Sequence, residues 1–352
     1  MSDRTPAPPA VPEPAATMRA VQLHGFGGAD VLDVTDLPRP EPGPGQILIR
    51  VTAAGVNFAD VLRRRGDLYP VPTPLPFVPG AEVAGTVAAL GPGVDGPAVG
   101  TRVMSVVGDD ASGGYAEFAV AYAGSVVPIP AGLDDDTAAG VVVAGLTAVL
   151  LLDAAARMQP GDAVLVPAAA GGVGGFAVQV AKLLGAGTVI GTASTEEKRA
   201  AAAALGADHV LDPESPGWAQ RVRDLTGGRG VDVALEMTGG DRLAETLAAL
   251  APFGRLVVYG AAAGVAGSVD GAARDAFLYD PAPNQSLTGF TLGGWFEHRP
   301  AVAGAALGRL VEWVASGQVE APRPRALPLD EAREAHRALE AGEVTGKLVL
   351  RP

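Results

Sequence analysis

Residues 163–185, AVLVPAAAGGVGGFAVQVAKLLG, run without a break from an apolar stretch through a glycine loop into an amphipathic helix, and this order permits few folds. Ala163 to Val166 has the continuous apolar character of a strand buried on both faces. Gly172-Val-Gly174-Gly-Phe-Ala177 then fits the dinucleotide pattern G-x-G-x-x-G/A. In that pattern Gly172 provides the tight turn, Gly174 lets a pyrophosphate approach the backbone, and Ala177 lets the helix sit close to the sheet. The helix N-terminus aims unpaired N–H groups and the positive end of its dipole at the same phosphate. Glycines alone would also suit a flexible loop; the strand before them and the helix after them point to a nucleotide site.

The chemistry available around that site is narrow. The 352 residues contain no cysteine, which excludes disulfides, thiolate nucleophiles and thiolate metal sites. The four histidines, His24, His209, His298 and His336, show no ligand-like spacing. No apolar run reaches the roughly 20 residues of a membrane helix. The net charge of −13 repels nucleic acid and anionic lipid. Lysine stands only at Lys182, Lys198 and Lys347. The chain therefore reads as a cytoplasmic protein with a small-molecule partner.

Residues 1–16 are rich in Pro and Ala and read as a disordered tail, neither a signal peptide nor a span. Short strands follow at residues 18–23, 31–35, 46–53, 81–89, 102–107, 116–120 and 126–129, with a basic helix ending at Arg65 and a proline-rich loop from Tyr69 to Pro79. From Asp135 the period changes. A helix over Thr137 to Ala156 precedes strands at 163–166, 188–192, 209–211, 231–235, 255–259 and 287–291. Six strands with helical crossovers make an α/β doubly wound parallel sheet. Ser194-Thr-Glu-Glu197 reads as a capping box and Gly206 as the glycine after that helix. After a helix at 301–316, a proline-broken strand, a helix capped by Asp330 and a closing strand at 346–350 have no place left in that sheet. They are expected to return to the first domain. The resulting division is 17–134 with 293–352, and 135–292.

Asn57-Phe-Ala-Asp60, Arg64, Gly66, Tyr69-Pro70, Pro79-Gly-Ala-Glu-Val-Ala-Gly85, Gly113-Gly-Tyr-Ala-Glu117, Gly145-Leu-Thr-Ala148, Ala170-Gly-Gly-Val-Gly174, Asn284-Gln-Ser-Leu287 and Gly346-Lys-Leu-Val-Leu350 follow one another in order. The chain resembles the zinc-independent quinone oxidoreductase branch of the medium-chain dehydrogenase/reductase superfamily over nearly everything after Met18. The resemblance implies a GroES-like β-rich catalytic domain joined to a Rossmann domain, with the active site in the cleft between them, and a homodimer. Zinc-dependent relatives carry a cysteine where Asn57 stands and a histidine where Ala81 stands, so no metal is expected here.

For the cofactor, the second Rossmann strand ends at Thr192-Ala193-Ser194 without the acidic residue that grips the ribose hydroxyls of NAD, and Lys198 and Arg199 follow. A neutral strand end beside cations accommodates a 2′-phosphate, which points to NADPH. The resemblance places Ser194 and Lys198 on that phosphate and adds Gly171, Gly172, Val173, Gly174, Thr147, Gly260 and Lys347 to the cofactor site. Relatives often place a phosphate-contacting tyrosine where this sequence has Pro213.

Without metal or thiol, the simplest competent reaction is direct hydride transfer to a quinone or an α,β-unsaturated carbonyl. The candidate catalytic residues are Asn57, whose amide can donate a hydrogen bond, Tyr69 at the cleft mouth, and Thr147 as a positioning hydroxyl. A turn-forming Asn and a self-bonded helix Thr are the plain structural alternatives. The reading is an NADPH-dependent quinone reductase. Its alternatives are an enoyl or other C=C reductase of a biosynthetic pathway, or an NADPH-binding protein without turnover. Leu62, Asp67, Pro213 and the unusual segment 274–283 suggest a specialised acceptor. His336 reads as a helix-packing residue, and His209 as a polar start to a strand.

Overall fold

A computed structural model describes residues 17–264, 271–279 and 284–352. The expected tail at 1–16 and the end of the 274–283 segment lie outside the described residues. The strands are β1 Thr17–Gln22, β2 Asp33–Pro38, β3 Gln46–Val56, β4 Glu82–Leu90, β5 Arg102–Val106, β6 Phe118–Tyr122, β7 Val127–Pro128, β8 Ala163–Val166, β9 Thr188–Thr192, β10 His209–Leu211, β11 Val231–Glu236, β12 Leu250–Val258, β13 Ser286–Gly289, β14 Arg325–Pro328 and β15 Leu348–Arg351.

The strands β8 to β13 form one six-stranded sheet in the order β10-β9-β8-β11-β12-β13, with every pair parallel. Numbered within that sheet the order is 3-2-1-4-5-6, the doubly wound dinucleotide-binding arrangement, in which ligands bind beyond the carboxyl ends of the strands. All four residues of β8 are buried, as its uninterrupted apolar sequence requires. The remaining strands form a seven-stranded sheet, β14-β15-β3-β4-β5-β7 with β6 also on β3, and a β1–β2 ribbon. The last two strands join this sheet: β14 pairs parallel with β15, and β15 antiparallel with β3.

Three local expectations change. The helix expected over 137–156 is broken into Asp135–Ala138, Val142–Val149 and a wider turn at Leu150–Ala155. At Gly145 a side chain would fall 2.8 Å from Leu310, so glycine there admits helix Pro300–Ala315 against helix Val142–Val149. The capping residue of helix Glu196–Ala204 is Thr195, whose hydroxyl accepts from the Lys198 amide; Ser194 lies one residue outside the cap. Asp330 falls in a short turn, Leu329–Glu331, before helix Ala332–Glu340 and does not cap it.

Candidate active site

The glycine loop achieves its turn differently from the motif's usual reading. The left-handed residue is Ala168, with φ of 46°, whereas Gly172 is not in that region. Helix Gly172–Leu183 starts directly after Gly171. A side chain on Gly174 would fall 2.2 Å from the Ala168 carbonyl oxygen, so glycine at 174 is demanded by the loop folded over it. A side chain on Gly172 would meet only ordinary contacts near 3.7 Å, among them Lys347.

A cavity of about 250 Å³ opens at the carboxyl ends of β8, β9 and β11, bounded by Ala168, Gly171, Ser194, Lys198, Arg242 and Gly342. Ser194, one residue outside the cap, lines the cavity. The neighbouring Arg199 is held by Glu196 and by the carbonyls of Ala193 and Ser194. Lys198 instead donates to the Gly342 carbonyl and, among the described residues, pairs with no carboxylate. Two carboxylates line the same cavity, and both are engaged. Glu236 accepts from the Gly239 amide at 3.0 Å and the Thr246 hydroxyl at 2.7 Å, and Glu214 accepts from Arg242 at 2.7 Å.

From the cavity edge the C-terminal segment crosses the glycine loop. The Gly346 amide donates to the Ala170 carbonyl at 2.7 Å, and Gly346 bridges Gly171. Next along the chain is Lys347, whose Nζ lies 2.8 Å from Glu82 Oε1 and 2.5 Å from Asn57 Oδ1. Asn57 Nδ2 in turn donates to Glu82 Oε1 at 3.1 Å. The other Glu82 oxygen accepts from the Val143 amide at 2.7 Å, one of the free N–H groups that open helix Val142–Val149. Glu82 and Lys347 are 0% and 4% exposed, so this is a buried ion pair completed by hydrogen bonds at nearly every oxygen.

Behind Asn57 lies a second buried network. Asp60, at the third position of helix Phe58–Arg65, accepts from the Asn57 amide at 2.8 Å, the Gly80 amide at 3.1 Å and the Tyr115 hydroxyl at 3.2 Å. Burial pushes its pKa up to about 6 against those hydrogen bonds. Tyr115 also meets His336 Nε2 at 3.2 Å. Since the phenol's proton goes to the Asp60 carboxylate, His336 donates through Nε2, leaving Nδ1 as a buried acceptor without a partner among the described residues. Burial, reinforced by Arg64, holds the His336 pKa down to about 3. His336 packs as expected, fully buried in helix Ala332–Glu340 and edge-on to the Tyr115 ring, and it also ends a hydrogen-bonded chain that reaches the Asn57 backbone.

Residues 172–303 match the zinc-binding dehydrogenase family, and residues 43–131 match the alcohol dehydrogenase GroES-like domain. A 2-haloacrylate reductase of Burkholderia sp. is 36% identical over 345 residues, 95% of this chain and 98% of that protein. The chain belongs to the medium-chain dehydrogenase/reductase superfamily, in its quinone oxidoreductase branch. A quinone oxidoreductase of Pseudomonas aeruginosa is 36% identical over 336 residues, 95% of this chain and 99% of that protein. The solved structure of mycobacterial Rv1454c complexed with NADPH is 38% identical with a TM-score of 0.86, covering 95% of this chain and all of that one.

The family name includes zinc, but this reductase's residues do not fit that ion. Ala81 offers no ligand atom, and the Asn57 side-chain oxygen is held by the Lys347 ammonium, a cation already in place. Among the described residues no group of three or more His, Cys, Asp or Glu converges as a metal site.

Five of the sequence-predicted residues fall into two groups. Gly171, Ser194 and Lys198 meet at the cavity; Asn57 and Lys347 meet at Glu82. Gly172, Val173 and Gly174 form the first turn of the helix below the loop. Gly260 closes against the Met237 backbone, where a side chain would fall 3.1 Å from a carbonyl oxygen. Thr147 is buried within helix Val142–Val149, and among the described residues its hydroxyl makes no hydrogen bond. Tyr69 is half-buried with its ring 5.4 Å from the Arg63 guanidinium. Burial and then the charge of Asp60 raise its pKa, so the phenol keeps its proton. His209 is exposed at the start of β10. Glu82, the centre of the second group, was not singled out in the sequence as a functional residue; its signal was a lone carboxylate in an otherwise apolar strand, PGAEVAG.

Proposed function

We propose that this reductase uses NADPH to reduce a conjugated acceptor, a quinone or an α,β-unsaturated carbonyl, without a metal. When bound, the nicotinamide supplies the hydride. The observation that carries the cofactor choice is Lys198, a cation without a carboxylate partner among the described residues, sharing a cavity with Ser194 at a strand end that carries no acid.

On the acceptor side, Asn57 and Lys347 would act together. The ammonium has three hydrogens, two of them directed at Asn57 and Glu82; the amide has two, one directed at Glu82. One N–H of each remains for negative charge that develops on an acceptor oxygen, and donors fixed in advance are what stabilise such charge. We assign Thr147 to positioning the nicotinamide end of the cofactor. Tyr69 suits a neutral hydrogen-bond donor and not a proton source, so protonation of the product falls to solvent.

The 2-haloacrylate reductase relative favours the C=C branch of this reading, because a haloacrylate is itself a conjugated acid. NADPH oxidation measured with 1,4-benzoquinone and with a panel of enones and acrylates separates the two acceptor classes. Tight NADPH binding with no oxidation by any of them would replace the reading with a binding protein.

We also propose a homodimer built on the outer edge of β13. That strand ends the six-stranded sheet with all four residues exposed, the apolar Leu287 among them. We place the enzyme in the cytoplasm, where a diffusible NADPH is regenerated. No helix among the described residues is long and apolar enough to cross a membrane.

A further inference from the structure

The cavity that holds Ser194 and Lys198 has a second cation in its wall, Arg242, which comes from the segment after β11. Arg242 is well ordered by its surroundings. Its guanidinium lies 5.7 Å from the Trp218 ring, itself fixed by an indole N–H donated to Glu245 at 3.0 Å. One guanidinium nitrogen donates to the Pro213 carbonyl and to Glu245 at 2.9 Å, and the other to Glu214 at 2.7 Å. The Arg242 side chain is 22% exposed, whereas that of Glu214 is 74% exposed.

We infer that Arg242 is a specificity-determining residue that binds the 2′-phosphate together with Lys198, and that Glu214 occupies the guanidinium until the phosphate displaces it. The inference rests on the NADPH reading above. The Glu214 pair is exposed, and such pairs are weak because water and salt screen them. A phosphate brings more charge and several acceptor oxygens to the same planar fork. Trp218, Glu245 and the Pro213 carbonyl hold the guanidinium at the cavity wall, so little ordering is needed when the anion arrives. A cofactor with a free 2′-hydroxyl has no charge with which to displace Glu214. Proline at 213 contributes its carbonyl to hold Arg242, so the arginine supplies the anion contact on this side of the cavity.

The two residues of the pair make opposite predictions. In the full chain, binding of NADPH, NADH and 2′,5′-ADP is measured by calorimetry for wild type, Arg242→Gln, Arg242→Lys and Glu214→Gln. Removing the charge in Arg242→Gln weakens NADPH and 2′,5′-ADP about tenfold, the loss of one charge-assisted contact, and leaves NADH within about twofold. Arg242→Lys recovers part of that loss, and Glu214→Gln tightens NADPH and 2′,5′-ADP by a few-fold while leaving NADH unchanged. Equal weakening of both nucleotides in Arg242→Gln, or looser NADPH binding in Glu214→Gln, would overturn the role of Arg242. If wild type bound 2′,5′-ADP and NADPH no better than NADH, the NADPH reading itself would fail. Should Arg242→Gln not fold, the signs for Arg242→Lys and Glu214→Gln still decide.

Discussion

Lys347 and Glu82 form a buried ion pair at 2.8 Å that joins the closing strand of the chain to β4, with Asn57 hydrogen-bonded to both members. One carboxylate thereby fixes the lysine, the asparagine and the start of helix Val142–Val149 through the Val143 amide. Charge and hydrogen bonds thus hold these three side chains to one another.

Breaking this pair from one side leaves an uncompensated buried charge. Lys347→Met is expected to destabilise the fold by about 3–5 kcal/mol, as removal of one partner of a buried pair does. The double variant Lys347→Met with Glu82→Gln should recover a large part of that loss while remaining inactive. Urea denaturation of the two single variants and the double variant measures the coupling; additive losses would contradict a direct interaction.

The Asp60 and His336 shifts act in opposite directions on stability. Asp60 titrates at about 6 when folded against an ordinary 3.8, so it contributes stability below about pH 4 that is lost as pH rises through 6. His336 titrates at about 3 when folded against 6.5, so its contribution is present above about pH 6.5 and is lost as pH falls toward 3. Between pH 4 and 6 the two slopes oppose each other. The stability deficit of His336→Leu relative to wild type should therefore shrink as pH falls across this window, by up to about 1.4 kcal/mol per pH unit. The deficit of Asp60→Asn should grow. Denaturation midpoints at several pH values test this, and parallel curves for all three proteins would contradict it.

Gly174 and Gly172 separate a demand of the fold from one of the ligand. Gly174→Ala sets a methyl group 2.2 Å from the Ala168 carbonyl and must deform the loop, whereas Gly172→Ala makes ordinary contacts. Overpacking of this kind costs about 1–3 kcal/mol. Thermal unfolding should show that cost for Gly174→Ala and little change for Gly172→Ala, even where both weaken nucleotide binding. An equal stability loss in both would contradict the geometric account.

Much of this architecture was legible in the sequence because its signals are local. The apolar run 163–166, the alternation of strand and helix, and the fingerprint after β8 led to a six-stranded parallel sheet, and β8, β9 and β10 have the expected bounds. The capping assignment slipped by one residue because Ser194 and Thr195 are both good caps and only the backbone path chooses between them. What the sequence concealed was long-range. Glu82 meets partners from positions 57, 143 and 347, and His336 reaches Tyr115, so neither has a neighbour in the chain that signals its role. The glycine motif was recognised, but which glycine answers to which contact depends on the left-handed turn at Ala168, a residue the pattern leaves unspecified.

We propose that Lys198, at a strand end without an acid, sets this reductase's preference for NADPH. The most direct measurement is kcat/KM for NADPH and for NADH, with one accepted quinone or enone, in wild type and in Lys198→Ala. Loss of a charge-assisted phosphate contact should lower the NADPH value about tenfold or more while leaving the NADH value nearly unchanged. A wild-type enzyme that prefers NADH, or a Lys198→Ala variant that loses both cofactors equally, would contradict it.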